Sequence, residues 1–112
     1  MRHRTALLVG EFEGTVVGCV GLKRLDQTRC EMKRLFVHPE AHGMGAGQAL
    51  ARAIVERARA LGYSKMMLDT GPRQTEAQTL YRKLGFVNSE PYYDMSPELH
   101  SWLVFMELDL AP

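Results

Sequence analysis

The sequence predicts an α/β fold: a mixed, mostly antiparallel and twisted sheet with helices on both faces. Two observations lead to this class. Three strand-like segments precede the first helical segment, so the sheet begins with antiparallel hairpins. Residues 30–70 then follow a strand–helix–strand order, which joins parallel strands by a right-handed crossover. A sheet with both kinds of connection packs most readily between layers of helices.

Size, composition and charge restrict the class of protein further. The 112 residues predict one domain, residues 1–112. Hydrophobic residues make up 46% of the chain and charged residues 24%, which excludes a disordered or fibrous protein. A net charge of +1 provides no strongly basic surface for nucleic acid. The apolar run after the basic residues 1–5 is too short for a signal peptide or a membrane span, so we expect a cytoplasmic protein without membrane attachment.

The first three strands are predicted at residues 5–12, 15–25 and 30–38. Glu13-Gly14 is a hairpin turn signal between the first two. The second strand is apolar on both faces, so we expect it inside the sheet and not at an exposed edge. In the third strand, the Lys33-Arg34 pair interrupts the alternation of apolar and polar residues, which indicates a β-bulge.

A glycine-rich loop at 42–47 leads from the third strand into the first helix. Gly62 stands where a helix-ending glycine belongs, and a short strand at 65–70 follows. Helical spacing selects one apolar face for this helix. The residues predicted for that face are Ala49, Leu50, Ala53, Ile54, Ala58 and Leu61.

The second helix is predicted to begin with a capping box, in which Thr75 pairs with Gln78 three residues later. Gly85 ends this helix. The last two strands are predicted at 86–88 and 101–110, and a turn-rich insert separates them. That insert contains Tyr92 and Tyr93. Together with Trp102 they form an aromatic patch that either lines an acceptor pocket, covers the end of the sheet or makes a dimer contact.

The cysteines and histidines favour no metal site. Cys19 and Cys30 do not form a CxxC pair, and both lie in apolar segments, so we expect two reduced, buried thiols. His38 and His42 are four residues apart, but Pro39 lies between them and no third ligand is evident. We therefore expect no metal.

The glycine loop is the strongest local signal for a ligand. Three glycines in five residues let the backbone approach a ligand closely, and the helix start adds unpaired N–H groups with partial positive charge. These features suit a phosphate or pyrophosphate. Gln48 replaces the third glycine of a dinucleotide-binding loop, and the lysine of a P-loop is missing. The alternative is a flexible connection into the helix with no ligand.

Two linked motifs carry a family resemblance. Residues 31–40, EMKRLFVHPE, followed by HGMGAG at 42–47, resemble motif A of the GNAT acetyltransferase superfamily, Gln/Arg-x-x-Gly-x-Gly/Ala after a strand. Residues 77–86, AQTLYRKLGF, resemble its motif B, commonly Ala-x-x-Leu-Tyr-x-x-x-Gly-Phe. The motifs occur in the family's order, and the resemblance extends over about residues 7–110.

The resemblance implies an acetyl-CoA-dependent N-acetyltransferase that moves an acetyl group to a primary amine by direct attack. The alternative is a subunit or sensor that binds acyl-CoA without transferring the acyl group. Acetyl-CoA would be the cosubstrate. The residues that would bind it are Leu35, Phe36, Val37, His42, Gly43, Met44, Gly45, Ala46, Gly47, Gln48 and Gln74.

The resemblance also implies catalytic roles. A carboxylate must take the proton of the amine, and Glu31 and Asp69 are the candidates. Tyr81 would protonate the leaving thiolate, and a backbone N–H near Val37 would meet the developing oxyanion. Structural alternatives exist for each side chain: Glu31 pairs with a neighbouring cation, Asp69 bonds backbone amides in a loop, and Tyr81 packs in the core.

Three differences separate the chain from the family pattern. His42 replaces the usual Gln or Arg of motif A, and Gln74 stands where many members have an asparagine. The sequence also begins at the hairpin and lacks the usual N-terminal strand and two helices, which form one wall of the acceptor site. Apolar surface would remain uncovered without them, so we expect a homodimer. The acceptor is expected to be a small-molecule or peptide amine.

Overall fold

The computed structural model describes residues 6–111, which form one six-stranded sheet in the order β1-β2-β3-β4-β6-β5. The strands are β1 (Ala6–Phe12), β2 (Thr15–Arg24), β3 (Arg29–Val37), β4 (Lys65–Thr70), β5 (Val87–Asn88) and β6 (Val104–Asp109). The helices are α1 (Ala46–Ala60), α2 (Thr75–Lys83) and α3 (Pro97–His100), with a 3-10 turn at Pro39–Ala41. The predicted order of elements is confirmed, except that α3 lies within the predicted insert.

The sheet is mixed, as predicted. β3 and β4 are parallel and are joined through α1, whereas the other neighbouring strands pair antiparallel. The second strand lies inside the sheet, between β1 and β3, which confirms its predicted position. The predicted fold class is therefore confirmed.

The two longer helices share one face of the sheet, which we call the core face. Ile54 of α1 and Tyr81 of α2 belong to the same buried cluster as Val20 and Met66 of the strands. The opposite face is covered in part by the segment between β5 and β6. His100 of α3 packs its ring on Phe105 there, with the ring centroids 5.9 Å apart. Helices thus lie on both faces, but among residues 6–111 the opposite face, which we call the second face, carries only the four-residue α3.

The buried side of α1 differs from the predicted one. Ala49 and Ala53 are exposed. The residues that α1 buries are Leu50, Ala51, Ile54, Val55 and Ala58. Both sets have helical spacing, and alanine is small enough to lie on either side, so periodicity alone could not distinguish them. The larger side chain of Val55 determines the orientation because its burial removes more apolar surface from water.

The predicted β-bulge lies at Arg34. Gly21 pairs with Lys33, but Cys19 pairs with Phe36, so β3 has one residue more than β2 over this stretch. Arg34 has a φ of 56°, which is the left-handed region. A bulge of this kind bends the strand and increases its local twist.

The two parallel strands diverge beyond the middle of the sheet. Their pairing extends from Arg29–Lys65 to Glu31–Met67 and then stops. β3 nevertheless continues to Val37, and β4 continues to Thr70. A gap therefore opens between the two strands at their carboxyl ends.

Two predicted boundaries are wrong. The capping box does not form, because Gln74 is the N-cap of α2 and makes no side-chain capping bond, while the Gln78 amide donates to the Gly71 carbonyl at 2.9 Å. The last strand begins at Val104 and not at residue 101. Residues 101–103 instead form a turn after α3, in which the N–H groups of Trp102 and Leu103 donate to the carbonyls of Leu99 and His100.

The bulge predicts how substitutions at Arg34 affect stability. A β-branched residue is strongly disfavoured at positive φ, so Arg34→Val should lower the free energy of unfolding by about 1–2 kcal/mol. Arg34→Gly removes the strain of the positive φ, but folding then orders a more flexible residue, and the two effects are of similar size. The free energy of unfolding of this variant should therefore stay within about 1 kcal/mol of the wild-type value. Urea denaturation measures both values. Lys23→Val is the matched control, because Lys23 is an exposed residue of β2 that does not have a positive φ. This variant should change the free energy of unfolding little. An equal loss in Arg34→Val and Lys23→Val would contradict the bulge at Arg34.

Candidate active site

A groove runs along the carboxyl end of β3, between the glycine loop and α2. It consists of two adjoining cavities of about 590 and 340 Å³, which extend from the glycine loop to Tyr81 of α2. The residues that line both cavities are Leu35, Val37, His42, Glu76 and Ala77. Because these walls are shared, the two cavities form one continuous groove at the carboxyl end of β3.

The glycine loop forms one end of this groove. Gly43 and Gly45 have φ values of 84° and 80°, and no atom lies within 4 Å of where a Cβ would stand at either position. Gly45 is the N-cap of α1 and makes no side-chain capping bond, and the first helical bond runs from the Ala49 N–H to the Gly45 carbonyl at 3.0 Å. The N–H groups of the first turn therefore have no helical partner. This end of the groove suits an anion.

His42 ties the loop to the end of β3. Its Nε2 lies 3.0 Å from the Val37 carbonyl oxygen, so Nε2 carries the proton and donates. The His38 N–H donates to the Val17 carbonyl of β2 at 2.7 Å. Because successive residues of a strand direct their N–H groups to opposite edges, the Val37 N–H points away from β2 and toward the gap.

Tyr81 forms the other end of the groove. Its side chain is buried on the core face, and its ring centroid lies 5.8 Å from that of Phe86. Burial raises the pKa of Tyr81, and the nearby charge of Asp69 raises it further. The phenol is therefore protonated at neutral pH. The predicted acid thus lines the groove and also packs in the core, so the two interpretations of Tyr81 do not exclude each other.

The two candidate carboxylates lie on the face opposite Tyr81. Glu31 is buried, accepts a hydrogen bond from the Tyr92 phenol and lies 3.5 Å from the Lys33 ammonium. Asp69 is partly buried and accepts from the Tyr93 phenol at 2.6 Å. Both carboxylates are therefore bonded to adjacent tyrosines of the insert.

The aromatic patch of the insert differs in composition from the predicted one. Tyr92 and Tyr93 pack edge to face, with centroids 5.1 Å apart, and both contact Phe105 of β6. Burial, followed by the hydrogen bond to its carboxylate, raises the pKa of each of these tyrosines. Trp102 is 61% exposed. Phe105 and His100 were not predicted for this patch, because only the fold brings them beside the tyrosines.

The predicted cofactor-binding residues fall into two groups. Most line the groove, and Gln74 does so with its Oε1 accepting from the Thr70 hydroxyl at 2.6 Å and from the Gly71 N–H at 3.3 Å. Met44 instead lines a neighbouring cavity at the tip of the first hairpin, and the exposed Gln48 side chain does not line the groove. Arg73 and Glu76 line the groove but carry no sequence signal that selected them.

Within residues 6–111, the cysteines and the other residue types that bind metals form no second site. Cys19 and Cys30 are free thiols, and burial raises the pKa of Cys30 to about 12. No group of three or more His, Cys, Asp or Glu side chains in this range could hold a metal ion. None of the helices in the described part of the chain has the length and apolarity needed to cross a membrane.

Comparison with known proteins identifies the family. The model of the acetyltransferase (GNAT) family matches residues 1–86. The chain therefore belongs to this family, which confirms the predicted resemblance. An uncharacterized N-acetyltransferase of Schizosaccharomyces pombe is 40% identical over 92 residues, which are 81% of this chain and 56% of that protein. The chain thus spans little more than half the length of that relative.

Solved structures agree with this assignment. The crystal structure of a Klebsiella pneumoniae protein, named as an acyl-CoA N-acyltransferase, superposes with a TM-score of 0.87 at 28% identity, covering 96% of this chain and 74% of that one. A Salmonella typhimurium protein solved with its cofactor acetyl-CoA has a TM-score of 0.78 at 25% identity, covering 95% of this chain and 65% of that one.

Proposed function

We propose that the protein is an acetyl-CoA-dependent N-acetyltransferase that moves the acetyl group to a primary amine by direct attack. The observation that carries this proposal is the continuous groove, which joins an anion-binding helix start to the buried phenol of Tyr81. Family membership and the acetyl-CoA-bound Salmonella relative support it.

The residues of the groove fit acetyl-CoA. The open space at Gly43 and Gly45 and the free N–H groups at the start of α1 suit the pyrophosphate. The gap between β3 and β4 then accommodates the arm that carries the thioester, and Gln74 lies along the wall with its amide oxygen already bonded. The thioester carbonyl would lie near the Val37 N–H.

The reaction needs two proton transfers. A primary ammonium has a pKa of about 10.4, so a carboxylate, Glu31 or Asp69, takes one proton to give the neutral amine. The amine nitrogen attacks the thioester carbonyl carbon, and the Val37 N–H stabilises the oxyanion. The C–S bond then breaks, the Tyr81 phenol protonates the thiolate, and the second proton of the nitrogen restores the phenol.

The assembly, the compartment and the class of acceptor are also part of this proposal. Leu7, Val9 and Phe36 are 66%, 50% and 55% exposed, and strand pairing places them together on the second face. We propose that this apolar surface supports a homodimer. The two free thiols are consistent with the reducing cytoplasm. The acceptor is a small-molecule or peptide amine.

The alternative function is acyl-CoA binding without transfer, as a subunit or sensor. The observation that favours it is that both candidate bases are hydrogen-bonded to tyrosines, and Glu31 is buried. Release of the free CoA thiol from acetyl-CoA, measured with a panel of primary amines, distinguishes the two functions. Amine-dependent release supports the transferase, and binding without release supports the alternative.

Self-association predicts the mass in solution. Light scattering at micromolar concentrations should give the mass of two chains, because the exposed apolar side chains of the second face are removed from water in a dimer. Val9→Lys should shift the protein toward the monomer. A monomer across the whole concentration range for the wild type would contradict the dimer.

The glycine loop predicts the effect of a negative charge at the helix start. Gly45→Glu should lower the CoA affinity by about 100-fold or more, because a carboxylate there repels the pyrophosphate. Gly14→Glu is the matched control. Gly14 has a φ of 81° and equally open space around its Cα, so a glutamate there carries the same backbone strain. Because Gly14 lies in the first hairpin turn, its glutamate would not repel a pyrophosphate at the helix start. Calorimetry measures both affinities, and a folded Gly45→Glu variant with wild-type affinity would refute this location of the pyrophosphate.

The acid role of Tyr81 predicts a selective loss of turnover. Tyr81→Phe removes one oxygen and keeps the ring against Phe86, so folding and acetyl-CoA affinity should be retained while kcat falls by about 100-fold. Steady-state kinetics at saturating acetyl-CoA, under conditions where chemistry limits the rate, measure the change. If Tyr81 only packs in the core, turnover remains near the wild-type value and the assignment is wrong.

A further inference from the structure

Sequence and family leave two carboxylates as candidates for the base, and their surroundings differ. We propose that Asp69 takes the proton of the amine and that Tyr93 is the residue that positions Asp69, whereas Glu31 holds the insert in place through Tyr92. This inference rests on the acetyl transfer proposed above. It adds a residue, Tyr93, that neither motif contains.

Both oxygens of Glu31 are already engaged. The Tyr92 phenol donates to Oε2, and the Lys33 ammonium lies 3.5 Å from Oε1. The Glu31 side chain is 5% exposed. The Glu31 carboxylate is buried and contacted at both oxygens, so it is less accessible to an incoming amine than a carboxylate with a free, partly exposed oxygen. The Glu31 carboxylate instead stabilises the packing of the insert on the sheet.

Asp69 has one oxygen free. Oδ2 accepts from the Tyr93 phenol at 2.6 Å, and no residue among 6–111 bonds Oδ1. The side chain is only partly buried. Oδ1 can therefore accept a proton from an amine, directly or through one water.

The two carboxylates also differ in their position relative to the gap. Glu31 lies at the last bonded pair of β3 and β4, opposite Met67. Asp69 is two residues further along β4, about 6–7 Å beyond the point where the pairing ends. Its charge is also the second cause of the raised pKa of Tyr81. Asp69 and Tyr81 thus lie near each other at the gap, on opposite faces of the sheet.

Tyr93 is held in place from three sides. Its ring packs edge to face on Phe105, at 5.4 Å between centroids, and on Tyr92. Its backbone carbonyl accepts a hydrogen bond from His100 Nε2 at 3.2 Å. Because the phenol is fixed, its bond to Oδ2 orients the Asp69 carboxylate and leaves Oδ1 as the acceptor.

Tyr93 does not itself exchange a proton in this arrangement. Burial, the hydrogen bond to Asp69 and the charges of Asp69 and Glu31 all raise its pKa, so the phenol stays protonated. One proton passes from the amine nitrogen to Asp69 Oδ1 and then to solvent. The nitrogen electron pair that this transfer releases forms the new C–N bond, and the C–S bond breaks when the resulting oxyanion collapses.

A double-mutant cycle tests the pair, with an accepted primary amine and saturating acetyl-CoA. Asp69→Asn should lower kcat by about 100-fold or more, and Tyr93→Phe by about tenfold, with the KM for acetyl-CoA unchanged. In the Asp69→Asn background, Tyr93→Phe should change kcat by less than about twofold, because its effect acts through Asp69. If Asp69→Asn fails to fold, Asp69→Ala provides the same comparison, and added formate should restore part of its turnover.

Tyr92→Phe is the matched control. It removes the same hydroxyl from the neighbouring ring of the insert, so it should lower the midpoint of thermal unfolding and keep kcat within about twofold. Wild-type turnover in Asp69→Asn together with a loss in Glu31→Gln would overturn the proposal. A tenfold loss of kcat caused by Tyr93→Phe in the Asp69→Asn background would also overturn it. A wild-type protein that binds acetyl-CoA but releases no thiol with any amine refutes the transferase function itself, and this inference with it.

Discussion

The divergence of β3 from β4 is the constraint on which the site depends. After the Glu31–Met67 pair the strands no longer bond to each other, although both continue. Backbone groups that leave a ladder need other partners. The Val37 carbonyl finds one in the His42 imidazole, and the Val37 N–H is left facing the groove. The bulge at Arg34 bends β3, but the pairing of β3 with β2 resumes at Phe36. The sheet therefore opens only on the β4 side of β3.

Much of the fold could be predicted from local signals. Turn residues, strand alternation and the glycine loop determine the order of elements, and the strand–helix–strand unit determines the crossover between β3 and β4. The errors arise where a local pattern has two solutions. Ala49 and Ala51 are equally compatible with helical spacing, and Gln78 can bond either its own helix start or the Gly71 carbonyl, as it does here. Only tertiary packing distinguishes such alternatives.

The candidate site was predictable from contiguous motifs on the core face, whereas on the second face the two carboxylates could be named but their tyrosine partners could not. The glycine loop and Tyr81 belong to contiguous motifs, so their residues could be named before the groove was known. The bonds of Tyr92 to Glu31 and of Tyr93 to Asp69 join positions 61 and 24 residues apart. They depend on how the insert folds across β6. Adjacent tyrosines indicate an aromatic patch, but spacing does not predict their partners.

The separation of the proposed acid from the proposed base by the sheet has a chemical consequence. A phenol and a carboxylate that lie within reach of each other form a strong hydrogen bond, as Tyr93 and Asp69 do. If Tyr81 made that bond, its proton would be shared with the carboxylate and would be less available to the leaving thiolate. Tyr81 lies on the core face, and the charge of Asp69 acts on it only by raising its pKa. Tyr93 therefore satisfies the carboxylate, while the Tyr81 proton remains available at the groove.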